Sequence, residues 1–191
     1  VNKFLNIKML RIMNVEKYLL NIPSQKIKYG LSRTKKLLKI AGNPENNIFS
    51  VQLIGTNGKG TTAAFLKNIY QKKYRVGVFT SPHLVDFRER ICINKKQIEN
   101  KDIEVFLKYY KDQIQRIQPS FFEIMTVLAL WYFKEKKVDI AILETGLGGR
   151  LDSVTACKNN ILGYTHISLD HESVLGSTLK KITLEKANAI F

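Results

Sequence analysis

Cysteine is scarce. Cys92 and Cys157 are the only two in 191 residues, far apart and in no Cys-x-x-Cys spacing. That pattern excludes a disulfide framework and a cysteine-based metal site, and it suits reduced thiols in the cytoplasm. Long hydrophobic runs are also missing. The best candidate, Ile124 to Phe133, is about half the length of a membrane span and carries Thr126, so it reads as a buried helix. Lys8, Arg11 and Lys17 interrupt the apolar residues near the start, which argues against a signal peptide. Internal repeats and low-complexity linkers are lacking too.

Acidic residues are outnumbered: 31 Lys and Arg face 16 Asp and Glu, a net charge of +15. Such a balance fits a polyanionic partner. The basic residues are scattered in pairs, however, such as Lys35–Lys36, Lys72–Lys73 and Lys136–Lys137, with no long run interleaved with aromatics. This favours a solvated basic surface over a nucleic-acid groove, though the surface would still attract small anions.

With 45% hydrophobic residues the chain can bury a core. A short helix is expected over 14–21 and a longer one over 31–41, the second stopped by Gly42-Asn43-Pro44. A strand follows over 48–54, a helix over 61–72 and a strand over 75–80. A hairpin is expected over 90–98 with its turn at 94–96. Asn100 is the expected cap of a helix running to 117, and another helix covers 121–135. Val138 to Leu143 is a near-continuous apolar run, the mark of a strand buried on both faces. A strand over 160–165 and a helix over 178–190 complete the pattern. Alternating strands and helices imply an α/β fold with a mostly parallel sheet, whose ligands sit at the carboxyl ends of the strands.

The motifs fall in those loops. Gly55-Thr56-Asn57-Gly58-Lys59-Gly60-Thr61-Thr62 follows an expected strand and opens an expected helix. Glycines let backbone N–H groups approach phosphate, Lys59 supplies a point charge, and the Thr61 hydroxyl can ligate Mg²⁺. Gly60 between lysine and hydroxyl departs from the usual phosphate loop. Ser81 ends a strand beside this loop. Glu144 ends the buried strand, where a hard carboxylate oxygen suits Mg²⁺. His171 beside Asp170 could be a ligand or a structural side chain. Lys186, taken alone, reads as a surface lysine. Phe121 and Phe122 could stack on a flat ring or belong to the helix core.

Together these segments resemble the folate branch of the Mur ligase superfamily, the dihydrofolate synthase/folylpolyglutamate synthase family. The resemblance rests on 55–61, on Ser81-Pro82-His83-Leu84 with Glu89-Arg90-Ile91, on Phe121-Phe122-Glu123, on Glu144 to Asp152, and on Asp170-His171 with Glu185-Lys186-Ala187. It covers roughly residues 28–191. It implies an ATP-dependent ligase that adds L-glutamate to dihydropteroate or to a folate (poly)glutamate through an acyl phosphate. Mg²⁺ would be held by Ser81, Glu144 and His171, with Thr61. Lys186 would be carbamylated and would act with Lys59, Glu144 and His171 in catalysis. The pterin would lie near Gly30, near Ser120 to Glu123, and near Leu151, Asp152 and Ser153. Members are usually monomeric, cytoplasmic and not membrane-bound. The resemblance also implies a helical segment over 1–45, an incomplete ATP-binding P-loop domain over 46–191, and the absence of the C-terminal ligase domain.

Two departures stand out. Ser153-Val154-Thr155 replaces the family's Ala-Thr-Asn, and Asn188-Ala189-Ile190 replaces its Gly-Ile. Two alternatives therefore stay open: a catalytically dead remnant, and a basic P-loop protein that binds nucleotides or nucleic acid.

Overall fold

The computed structural model describes residues 15–20 and 30–190. A six-stranded sheet has the order β4-β3-β2-β5-β1-β6. Its strands are β1 (Phe49–Ile54), β2 (Val76–Phe79), β3 (Ile91–Ile93), β4 (Lys96–Gln97), β5 (Ile140–Glu144) and β6 (Ile161–Tyr164). β2, β5, β1 and β6 run parallel, while β3 and β4 form an antiparallel hairpin on β2. The helices are α1 (Val15–Leu20), α2 (Ser32–Ile40), α3 (Lys59–Tyr70), α4 (Asn100–Ile117), α5 (Phe121–Glu135), α6 (Glu172–Leu175) and α7 (Leu179–Ala187). None of the described helices is long and apolar enough to cross a membrane.

The apolar run Ile124 to Phe133 is indeed a buried helix. Every residue of it is inside, because α5 lies between the sheet and helices α2 and α4. Val15, Leu19, Leu37 and Leu38 of α1 and α2 share one core with Phe79 of β2 and Leu143 of β5. β5 pairs with β2 on one side and β1 on the other, which explains its continuous hydrophobicity.

Several boundaries differ from expectation for local reasons. Asn100 is the first residue of α4 rather than its cap; Glu99, extended, holds that position without a side-chain capping bond. Instead Asp102 pairs with Lys136 at 2.8 Å, tying α4 to the end of α5. β5 starts at Ile140 because Val138 still donates to Phe133 O, and the Asp139 carboxylate accepts from Arg75 N–H at 2.7 Å. α3 starts at Lys59 because Gly58 takes a left-handed φ of 86°, which turns the chain sharply into the helix. The short helical turns at Ser153–Cys157 and Glu172–Leu175 carry no apolar period and escaped the sequence reading.

Parallel pairing places the ends of β1, β2, β5 and β6 on one edge. β1 to β2 crosses to one side of the sheet and β5 to β6 to the other. The crevice at that switch lies above β1 and β5, where such sheets take their ligands.

Candidate active site

The loop after β1 is pinned from below. Thr56 N–H donates to His166 O at 2.8 Å and Asn57 N–H to the same oxygen at 3.3 Å. Thr56 Oγ1 and Asn57 Nδ2 also bond Ser168, at 3.1 and 3.2 Å. These two backbone N–H groups are thus used inside the protein. Those of Gly58, Lys59, Gly60 and Thr61 belong to the first turn of α3, where a helix has no acceptor of its own. Lys59 Nζ bends back on Gly55 O and Thr56 O at 3.0 and 3.1 Å. The Thr62 hydroxyl donates to Gly58 O at 2.8 Å, whereas that of Thr61 makes no such bond and is exposed.

Glu144, at the end of β5, is buried and faces this loop. Its Oε2 accepts from Ser81 N–H at 3.2 Å. Burial raises its proton affinity, opposed by the Ser81 N–H and by the nearby cations Lys59 and Arg90. The structure thus brings together Ser81, Glu144 and the start of α3. It does not bring His171 to them by any hydrogen bond among the described residues. The exposed His171 side chain lies 3.6 Å from the Asp170 carboxylate, and its backbone sits at a φ of 49°. Among the described residues no three His, Cys, Asp or Glu side chains could together enclose a metal ion. One buried carboxylate at the start of α3 still fits Mg²⁺, which keeps several waters and is usually held by one or two carboxylates plus phosphates.

Lys186 overturns its reading as a surface lysine. Its side chain is buried and donates to Gly55 O at 2.9 Å, so Lys59 and Lys186 share one carbonyl. Burial and then the charge of Lys59 push its pKa down, against Asp170 and Asp152. α7 holds it there by close contact. A Cβ on Gly149 would lie 2.8 Å from the Lys186 backbone, so only glycine lets this loop approach the helix. Arg150 N–H donates to Glu185 O at 3.0 Å beside that contact.

The loop after β5 is organised by Asp152. One carboxylate oxygen accepts from Gly146 and Leu147 N–H at 3.0 and 2.9 Å, the other from Val154 N–H at 2.9 Å. Burial raises its pKa to about 6 despite these donors. Leu151 beside it is partly exposed. Beneath the loop, Gln52 Nε2 donates to Thr145 Oγ1 at 3.0 Å and Thr155 Oγ1 at 2.7 Å, and Thr155 Oγ1 donates to Gly149 O at 2.7 Å. Ser153 Oγ meets Thr126 Oγ1 at 2.6 Å. The Ser153-Val154-Thr155 departure therefore has internal uses for both hydroxyls. Nothing in the sequence alone signals Gln52; Thr126 follows the Phe121-Phe122-Glu123 motif, but its bond to Ser153 is not legible there.

Ser120 and Glu123 form a capping box on α5. Ser120 N–H donates to Glu123 at 2.6 Å, and Glu123 N–H donates back to Ser120 Oγ at 3.2 Å. Glu123 also meets Arg33 Nε at 3.1 Å and the Thr34 hydroxyl at 3.4 Å. It thus holds α2, and Gly30 just before it, against the mouth of the sheet. Gly30 itself has a φ of 106° with open space around it. Phe121 and Phe122 are half-buried and rest on the core, Phe122 against Phe79 with ring centroids 5.5 Å apart.

No protein-family model matches the chain. Among curated proteins, it is 42% identical over 172 residues to the dihydrofolate synthase/folylpolyglutamate synthase of Bacillus subtilis, covering 86% of this chain and 40% of that protein. It is 40% identical over 171 residues to the dihydrofolate synthetase of Saccharomyces cerevisiae, again covering 86% of this chain and 40% of the relative. Among solved structures, Escherichia coli FolC in complex with DHPP and ADP superposes with a TM-score of 0.87 at 32% identity, over 93% of this chain and 44% of that one. A bifunctional folylpolyglutamate synthase/dihydrofolate synthase with Mn, AMPPNP and L-glutamate bound gives 0.79 at 32% identity, over 93% and 44%. The chain thus spans about two-fifths of the length of the curated relatives it matches. Motif order, fold and these identities agree, and the chain's kinship is with a portion of the dihydrofolate synthase/folylpolyglutamate synthases.

Proposed function

We propose that this crevice binds Mg-ATP and activates a carboxylate for amide formation with L-glutamate, the acceptor being dihydropteroate or a folate (poly)glutamate, in the cytoplasm. The observation that carries the reading is the meeting of three features on one sheet edge: the first turn of α3 with Lys59, the buried Glu144 carboxylate, and buried Lys186 on Gly55 O.

The N–H groups of Gly58 to Thr61 would receive phosphate oxygens, aided by the helix N-terminus. Lys59 would leave Gly55 O and Thr56 O and turn to the β- and γ-phosphates. Glu144, with the hydroxyls of Thr61 and Ser81, would hold Mg²⁺, and His171 would join them if Asp170-His171 moves toward the nucleotide. Bound there, Mg²⁺ supplies charge neutralisation for phosphoryl transfer. Thr56 and Asn57 would shape the loop from behind.

In the first step an acceptor carboxylate oxygen attacks the γ-phosphorus, the bond to the β–γ bridging oxygen breaks, and ADP leaves. In the second the glutamate amine attacks the acyl carbon, inorganic phosphate departs, and the amine loses its proton. The acceptor ring would lie between Phe121, the Gly30 segment and the Leu151 to Ser153 turn, with Ser120, Glu123 and Asp152 fixing those walls. Lys186, with its pKa lowered, is suited to carbamylation, since only the neutral amine reacts with CO₂. The product would be an anion facing Lys59 in place of a second cation.

The test is ADP release by the purified chain with ATP, Mg²⁺, dihydropteroate and glutamate, omitting each in turn. Release that needs both organic substrates supports the ligase reading. Release indifferent to them, or none from folded protein, counts against ligase activity in this chain.

A further inference from the structure

Arg90 has figured so far only as a cation near Glu144, yet the fold aims its guanidinium into the site. It follows Glu89, whose carboxylate accepts from the N–H groups of Leu84, Val85 and Asp86 at 2.8, 3.1 and 2.9 Å and so ties down the loop after Ser81. Its own N-terminal neighbour therefore cannot swing, and Ile91 beyond it is locked in β3. Arg90 Nε donates to His83 Nδ1 at 2.8 Å. The guanidinium carbon lies 5.3 Å from the centroid of the Phe121 ring. Three constraints thus fix the orientation of the planar group.

Those constraints engage only Nε. Among the described residues none accepts a hydrogen bond from the two terminal nitrogens, although the side chain is half-buried and burial lowers its pKa. The nearest acid whose charge it feels is Glu144, which already serves Ser81 N–H. A half-buried guanidinium held in place, with both terminal nitrogens unspent, is built for a planar anion with two oxygens.

We infer that Arg90 binds the carboxylate of the acceptor, holding it between Phe121 and Glu144 with two parallel N–H···O bonds. The inference rests on the ligase reading of the crevice and names the group that receives the acceptor's reacting end. Two anions, the carboxylate and the γ-phosphate, must meet for phosphorylation. A cation fixed on the carboxylate side offsets their repulsion without proton transfer, and Phe121 links it to the acceptor ring.

The experiment titrates the chain with dihydropteroate, with its carboxamide analogue and with Mg-ADP, for wild type and Arg90→Met. Methionine keeps an apolar stem against Phe121. Wild type is expected to prefer the carboxylate over the carboxamide by about ten- to a hundredfold. Arg90→Met should erase that preference and leave carboxamide and Mg-ADP affinities unchanged. Arg90→Gln, which keeps a donor for His83, should give the same loss and carries the test if the methionine variant fails to fold. A preserved preference in these variants, or equal weakening of acid and amide, overturns the proposal. Wild type that binds Mg-ADP but shows no preference sinks Arg90 and spares the nucleotide site. Wild type that binds neither ligand overturns the ligase reading, and this inference with it.

Discussion

Replacing Glu123 with alanine removes one carboxylate from three partners at once. Ser120 N–H loses its capping-box acceptor, a change worth about 1 kcal/mol. Arg33 loses a nearly buried carboxylate at 3.1 Å; breaking a fully buried pair costs about 3–5 kcal/mol, and the Arg33 side chain is 22% exposed, so about 1–2 is the fair share. The Thr34 bond at 3.4 Å is long and adds little. The sum is about 2–3 kcal/mol, which for a chain of this size lowers Tm by about 4–12 °C. Glu123→Gln can still accept from Ser120 N–H, so it should lose roughly half as much. Thermal unfolding followed by circular dichroism reads both. A loss below about 0.5 kcal/mol for Glu123→Ala would refute the view that Glu123 fastens α2 to α5.

Asp152 should give stability a pH dependence. Its folded pKa of about 6 lies above the ordinary 3.8, so the folded state binds the proton more tightly. Its contribution is most favourable below pH 4 and declines as pH rises from about 4 to 6, by about 3 kcal/mol at most. In denaturant titrations the stability of wild type relative to Asp152→Asn should fall over that window; a constant or rising difference would contradict the assignment. Gly149→Ala should destabilise by about 1–3 kcal/mol, because its Cβ would meet the Lys186 backbone at 2.8 Å, and an unchanged denaturation midpoint would show that α7 docks otherwise. Lys186 should show a mass gain of one CO₂ in gently handled protein equilibrated with bicarbonate. Firm absence of that gain would remove carbamylation from the scheme.

The sequence was most legible where one residue pattern has one structural use. An apolar run such as 138–143 fits only a central strand, and β5 lies between two partners. A glycine-rich turn between strand and helix fits a phosphate loop, and Gly58 turns the chain there. Legibility failed where the partner is distant in sequence. Lys186 looked like a surface lysine because its acceptor, Gly55 O, is contributed by β1's loop. The pairing of Glu123 with Arg33 was equally hidden, because Arg33 lies on a separate helix far away in sequence. Asn100 has the chemistry of a cap, but tertiary pairing of Asp102 with Lys136 accompanies a helix that begins at Asn100 itself. Gln52 carries no local signal, since its use depends on register and burial that only the assembled sheet defines; Arg90 is legible as part of the Glu89-Arg90-Ile91 motif, but its contacts with His83 and Phe121 are not.

The central claim is that the turn from β1 into α3 holds the phosphates of Mg-ATP through Lys59. Calorimetric titration of the chain with Mg-ATP, for wild type and Lys59→Ala, tests it most directly. Saturable wild-type binding, weakened about 10- to 150-fold in the variant for the loss of a charged phosphate contact, is the expected result. Equal affinity in the two proteins, both folded, would contradict the account.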